Sequence, residues 1–229
     1  MTVPELEQSI AVLEKNARTY PDQPAAHFKL ANAYHLAGRL DEALREFSAV
    51  VRLAPEDHQA CYNVGNVFAD IGHDAEAAAA YREAIRLKPD YAKAWCNLSL
   101  ASLMLARFDD AVEAAQKAAK LDPTDATALN NLGYAYNELG RHQDAIKVLR
   151  KALKLESGNA AAHYNLGIAY LRSGDVAAAN EEYEALEWLS DDIAEALKAV
   201  LGRKPRKKAT KKPQKKPAKK KAAPRKKRR

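Results

Sequence analysis

Residues 58–91, HQACYNVGNVFADIGHDAEAAAAYREAIRLKPDY, hold two helical patterns joined at one glycine, and most of the chain repeats them. Apolar side chains recur at helical spacing up to Gly72 and again from Ala77 to Leu87, and Pro89 closes the unit because it cannot continue a helix. Working outward in steps of 34 residues, the same frame falls on 24–57, 92–125, 126–159 and 160–193 without an insertion or deletion. Ala43, Ala77, Ala111, Ala145 and Ala179 share one place near the start of the second helix, where a methyl side chain lets two backbones approach. Phe47, Tyr81, Ala115, Leu149 and Tyr183 follow one turn later on the same face. Gly38, Gly72, Gly140 and Gly174 mark the turn between the helices, where a left-handed terminus suits glycine, and Ala106 alone departs. Pro55, Pro89 and Pro123 end the second helices of the first three units. Ser157 and Asp191 stand in their place afterwards, which predicts a different turn in the last two units.

A helix pair of this length cannot bury its apolar face alone, so the units must stack on one another. The pattern resembles the tetratricopeptide repeat family: Val64-Gly65, Phe68, Ala77, Tyr81 and Pro89 in one unit, with Leu132-Gly133 and Tyr136, and Leu166-Gly167 and Tyr170, in two others. The resemblance implies an all-α fold, a right-handed superhelical solenoid of helix-turn-helix repeats, over about three quarters of the chain. Around the five repeats of 24–193 the sequence predicts a leading helix within 4–23, with Pro4 in its first turn and Pro21 beyond its end, and a capping helix within 191–202. Twelve helices result, and the second helix of the fifth repeat reads as degenerate, as terminal repeats do.

The resemblance further implies that the first helices line a concave groove, with positions 2, 5, 6, 9, 12 and 13 of each unit facing into it. Position 6 reads Lys29, Asn63, Asn97, Asn131 and Asn165, a row of four carboxamides behind one cation. Two readings stay open: the row bonds the amides and carbonyls of an extended peptide, or it connects adjacent helices. Asn32 and Asn66 add carboxamides at position 9. Phe28, Tyr62, Leu100, Leu103, Met104, Tyr134, Tyr164, Ile168 and Leu171 make the rest of the groove apolar and aromatic. Its charges are Lys29, Lys93 and Arg172 against Asp70 and Glu138, a balance that favours a peptide with apolar anchors. Asn32, Asn63 and Lys93 fit the carboxylate clamp of the family's chaperone co-factors, but Phe28 and Asn97 replace two of its three cations, which disfavours that use. In the third unit Ser99 and Ser102 replace glycine and tyrosine beside Leu103-Met104-Leu105, either as a hot spot for binding or as a locally different core.

Charge divides the chain. Residues 203–229 hold 17 of the 37 basic residues and none of the 30 acids, so residues 1–202 carry 20 basic and 30 acidic side chains, a net of −10. The basic positions are Arg203, Lys204, Arg206, Lys207, Lys208, Lys211, Lys212, Lys215, Lys216, Lys219, Lys220, Lys221, Arg225, Lys226, Lys227, Arg228 and Arg229. With four prolines and no apolar side chain larger than those, this tail is expected to be disordered. Its composition resembles the tails of linker histones and some bacterial nucleoid proteins, which implies salt-sensitive, sequence-independent contact with nucleic acid or another polyanion. A nuclear localisation signal, an anionic membrane surface, and the acidic stretch Glu181, Glu182, Glu184, Glu187, Asp191, Asp192 and Glu195 compete for the same charges.

The N-terminus lacks the basic and apolar regions of a signal peptide, and no later stretch reaches about 18 apolar residues, so a cytoplasmic protein is expected, nucleoid-associated or, in a eukaryote, nuclear. Cys61 and Cys96 fall in neighbouring first helices without metal-ligand spacing, which predicts buried thiols. His27, His35, His58, His73, His142 and His163 show no metal or nucleophile pattern, and there is no phosphate-binding loop or nucleophile elbow. The reading is therefore a protein without enzyme activity, metal or cofactor. It is an adaptor that binds a protein or extended peptide in the groove while the tail tethers it. The alternative is a nucleic-acid-associated protein whose repeats space or oligomerise the tail, and self-association is left open.

Overall fold

The computed structural model describes residues 3–202, so the expectations placed on residues 203–229, including the polyanion contacts of all 17 basic side chains, lie outside the described residues. The described residues form twelve helices and no strand. A leading helix, α1 (Val3–Thr19), precedes five pairs: α2 (Pro24–Leu36) with α3 (Leu40–Leu53), α4 (His58–Ile71) with α5 (Asp74–Leu87), α6 (Ala92–Met104) with α7 (Phe108–Leu121), α8 (Ala126–Glu138) with α9 (His142–Leu155), and α10 (Ala160–Arg172) with α11 (Val176–Leu189). A cap, α12 (Asp191–Val200), follows.

The two helices of a pair are built differently. A second helix such as α3 buries one stripe, Ala43, Phe47 and Val50, against its partner. A first helix lies between neighbours and buries residues on several sides; α8 buries Ala128, Leu129, Leu132, Ala135 and Tyr136 together with Asn131 and Asn137. Asp57, Asp125 and Asn159 cap α4, α8 and α10 by accepting bonds from amides of the first turn.

At the turn inside each pair, Gly38, Gly72, Gly140 and Gly174 take φ of 71°, 85°, 73° and 91°. Ala106 adopts the same left-handed conformation at φ 53°, with Arg107 N donating to Ser102 O at 2.9 Å as Arg39 N does to Tyr34 O. The repeat geometry therefore overrides the steric preference of alanine. A different turn after the fourth unit does not occur. Glu156 N bonds Ala152 O and Asn159 N bonds Glu156 O, as Ala54 and Asp57 bond Val50 and Ala54 in the first unit. The amides that close this turn lie either side of the proline position, so serine serves there equally well. Only the fifth unit differs: Ser190 both ends α11 and caps α12.

Size complementarity sets the spacing within a pair. A Cβ at Gly65 would lie 2.6 Å from Tyr81 Cε1, and one at Gly133 2.4 Å from Leu149 Cγ. The third repeat exchanges the sizes, with Ser99 at the glycine place and Ala115 opposite, both fully buried. At Gly167 the close neighbour is Leu197 of α12, 2.6 Å from the added Cβ, so the cap fits against the fifth pair. Cores run continuously along the stack, as in the cluster joining Ala115, Leu132, Leu149 and Leu166 across three repeats.

Candidate binding face of the first helices

Carboxamides link one first helix to the next. Asn97 Nδ2 in α6 donates to Asn66 Oδ1 at 2.9 Å and to the Tyr62 hydroxyl at 3.1 Å, both in α4. The Tyr81 hydroxyl donates to the same Asn66 oxygen at 2.9 Å, and Asn66 Nδ2 reaches Asn63 Oδ1 at 3.4 Å. Asn131 Nδ2 donates to Ser99 Oγ at 3.0 Å, and Asn165 Nδ2 to Asn130 Oδ1 at 2.9 Å. Asn32 bonds within its own helix, Nδ2 to Phe28 O at 2.8 Å. The amide nitrogens of Asn97, Asn131 and Asn165 are thus engaged between repeats. Burial pushes the Tyr62 and Tyr81 phenols upward from their ordinary pKa, so both keep their protons in this network, Tyr62 accepting from Asn97 and Tyr81 donating to Asn66.

Three groove charges are also used between repeats. Asp70 lies 2.6 Å from His35 Nε2, and Glu138 lies 3.0 Å from Arg172 Nη1, which also donates to Asn137 O. Lys29 and Lys93 are exposed and make no ion pair among the described residues.

Apolar residues of this face divide by burial. Leu100 and Met104 are 45% and 54% exposed, whereas Leu103, between them, is core. Tyr62, Tyr134 and Tyr164 are half-buried; Asn131 is buried, and Ile168 is buried in a cluster with Leu186, Ala194 and Leu197, beneath α12. Leu36 is 74% exposed at position 13 of the first unit, the place Met104 holds in the third. Sequence reasoning passed over Leu36, although its register alone could have marked it.

His27 and His163 sit at position 4 of the first and fifth repeats and fasten the loop before each repeat to its second helix. His27 Nδ1 lies 2.6 Å from Glu46 Oε2 and Nε2 2.9 Å from Pro21 O; His163 repeats this with Glu182 at 2.6 Å and Ser157 O at 3.1 Å. Carboxylate and carbonyl only accept, so both ring nitrogens must donate, which requires the imidazolium. Burial opposes that charge at His27, but Glu46 and the Pro21 carbonyl outweigh it and raise the pKa; at His163 the Glu182 bond is the leading cause of the same shift. Trp95 holds this position in the third repeat and donates to Pro89 O at 2.9 Å.

Cys61 and Cys96 are free and buried, and burial lifts the Cys96 thiol to about 12. Among the described residues no group of three or more His, Cys, Asp and Glu could hold a metal ion, and no helix is long and apolar enough to cross a membrane.

Five helix pairs on a 34-residue period, tied through their first helices and capped at each end, define a tetratricopeptide repeat scaffold. The family model described as the cilia and flagella-associated protein 70 C-terminal domain matches residues 6–200, and the chain belongs to that repeat family. The crystal structure of MamA is similar at 25% identity and a TM-score of 0.67, over 77% of this chain and 94% of the chain in that structure. YrrB, described as a TPR protein with an unusual peptide-binding site, is 21% identical with a TM-score of 0.69, over 82% of this chain and 97% of its own. A chain of the APC/C hetero-tetramer Cut9-Hcn1 is 19% identical with a TM-score of 0.71, over 87% of this chain and 40% of that one. No curated protein sequence matches the chain.

Proposed function

We propose that the chain is a non-catalytic scaffold that holds a protein or extended peptide on the first-helix face of its repeats. The observation that carries this reading is that Leu36, Leu100 and Met104, with Lys29 and Lys93, are exposed at groove positions of the first and third repeats. Apolar surface left in water forfeits roughly 25 cal/mol per Å², which a partner's apolar anchors would recover. The unneutralised lysines favour an acidic group on the same partner. The peptide-binding site described for YrrB supports a ligand of this kind on this fold. The asparagine row has a smaller part, through whatever acceptor capacity the inter-repeat bonds leave.

Panning a displayed random-peptide library against the full chain tests the reading. Wild type should enrich peptides that combine aliphatic or aromatic anchors with an acid. Leu100→Ala/Met104→Ala and Lys29→Glu/Lys93→Glu should each lose that enrichment. Enrichment unchanged in both variants, or none in wild type, would sink it. Asn97 and Asn131 are unsuitable probes, because their loss also loosens the stack.

The 17 basic residues of 203–229 would tether the scaffold to nucleic acid or another polyanion by releasing counterions. Fluorescence anisotropy with random-sequence DNA and RNA, for the full chain and for residues 1–202, should give binding that falls steeply with salt and vanishes on truncation. Binding that truncation leaves intact would remove the tail from this role.

A further inference from the structure

The C-terminal ends of the second helices form an edge of the array built from residues other than those of the first-helix face. One register position, the 29th of each unit, reads Arg52, Arg86, Lys120 and Lys154 in the first four repeats, all exposed. Cations at helix C-termini complement the macrodipole, and that alone accounts for the series. In the fifth repeat the position is Trp188, 69% exposed. A terminal repeat needs a polar outer face, so packing among the described residues does not account for a solvent-facing indole there. Glu184 and Glu181, one and two turns earlier on the same helix face, are also exposed and place negative charge on the N-terminal side of the ring.

Between α7, α8 and α9 lies a pocket of about 540 Å³. Leu129, Leu132 and Val148 form its apolar lining, and Lys120, Lys151 and Lys154 stand at its rim without an ion pair among the described residues. An apolar pocket with cations at its rim is the chemical complement of an indole with carboxylates to one side of it. The basic tail is ruled out as its occupant by like charge. Because Lys154 and Trp188 hold the same register in adjacent repeats, knob and hole lie side by side on one edge. A patch that carries both halves side by side is self-complementary about a two-fold axis.

The geometry points to a second copy of this chain as the occupant: an isologous dimer in which Trp188 of each copy enters the pocket between α7, α8 and α9 of the other. The indole supplies the buried anchor, and Glu181 and Glu184 meet the lysine rim.

Sedimentation equilibrium of the full chain over a concentration series, at low and high salt, tests this. The expected result is a dimer that weakens as salt rises. Trp188→Ala and Lys151→Glu/Lys154→Glu should each raise its dissociation constant at least about 30-fold while circular dichroism stays unchanged. An equimolar mixture of the two variants should regain a dimer of intermediate strength, because one intact knob still meets one intact hole. A monomer at every concentration overturns the proposal. So does a dimer that neither variant weakens, the result expected if the tail of one copy meets the acidic face of another. Failure to regain association in the mixture overturns the reciprocal geometry.

Discussion

Exchange of sizes between Gly133 and Leu149 is the sharpest test of how the repeats are packed. In the fourth repeat a Cβ at Gly133 would stand 2.4 Å from Leu149 Cγ and 2.6 Å from Cδ2, inside any tolerable contact, and Leu149 is fully buried. Gly133→Ser should therefore force Leu149 off its rotamer, a cost of about 1–3 kcal/mol for overpacking, reduced by roughly 0.5–1 kcal/mol because glycine leaves a helix interior. Leu149→Ala should cost about 2–5 kcal/mol through lost contacts and a cavity. The double variant rebuilds the pair found at Ser99 and Ala115 in the third repeat, where a larger first residue meets a smaller second one. It should be no less stable than Leu149→Ala alone, a favourable coupling of about 1–3 kcal/mol. Urea unfolding of the four proteins, followed by far-UV circular dichroism, gives the cycle. Additivity within about 0.5 kcal/mol would mean that the two sites do not share space, and the account of repeat spacing would fail.

Replacing Ala106 by glycine should raise stability by about 0.5–1 kcal/mol, the relief of a left-handed alanine less the extra freedom of unfolded glycine, read as a higher urea midpoint at unchanged slope. The imidazolium forms of His27 and His163 are favoured in the folded state, so their stabilisation is complete below the unfolded pKa near 6.5 and disappears as pH climbs through the raised folded values. Thermal midpoints should accordingly fall as pH rises from about 6 to 8, and His27→Gln/His163→Gln should flatten that dependence; an unchanged slope in the double variant would refute the staple. Asn97→Ala strips the donor that joins Asn66 and Tyr62 across two repeats and should cost about 1–3 kcal/mol, with amide exchange accelerated at the α4 and α6 interface first.

Much of the fold is legible in the chain because the period is strict: an alanine at one register recurs in every pair, and a glycine at another marks the turn of all but the third. The burial of individual face residues is less so. A row of asparagines looks the same in sequence whether its amides meet a ligand or one another, since the choice depends on the distance between neighbouring helices. Leu103 and Met104 are consecutive and equally apolar, yet one is core and the other exposed, a difference set by a helix rotation of one residue. Ile168 has the register of a groove residue and is buried because α12 lies over it, and no local pattern states where a cap will land. Trp188 reads as an ordinary apolar residue until the basic series at its register is aligned.

The placement of α12 reuses the packing of a repeat. It packs on α10 and α11 as α8 packs on α6 and α7, and α10 on α8 and α9, so it fills the berth that the first helix of a sixth repeat would need. Among the residues it leaves exposed, Asp191, Asp192, Glu195 and Ala196 are charged or small where a stacked repeat would need a broad apolar face. Half a repeat is thus turned into a lid: it takes the packing of a first helix on its inner side and shows water a surface that water tolerates.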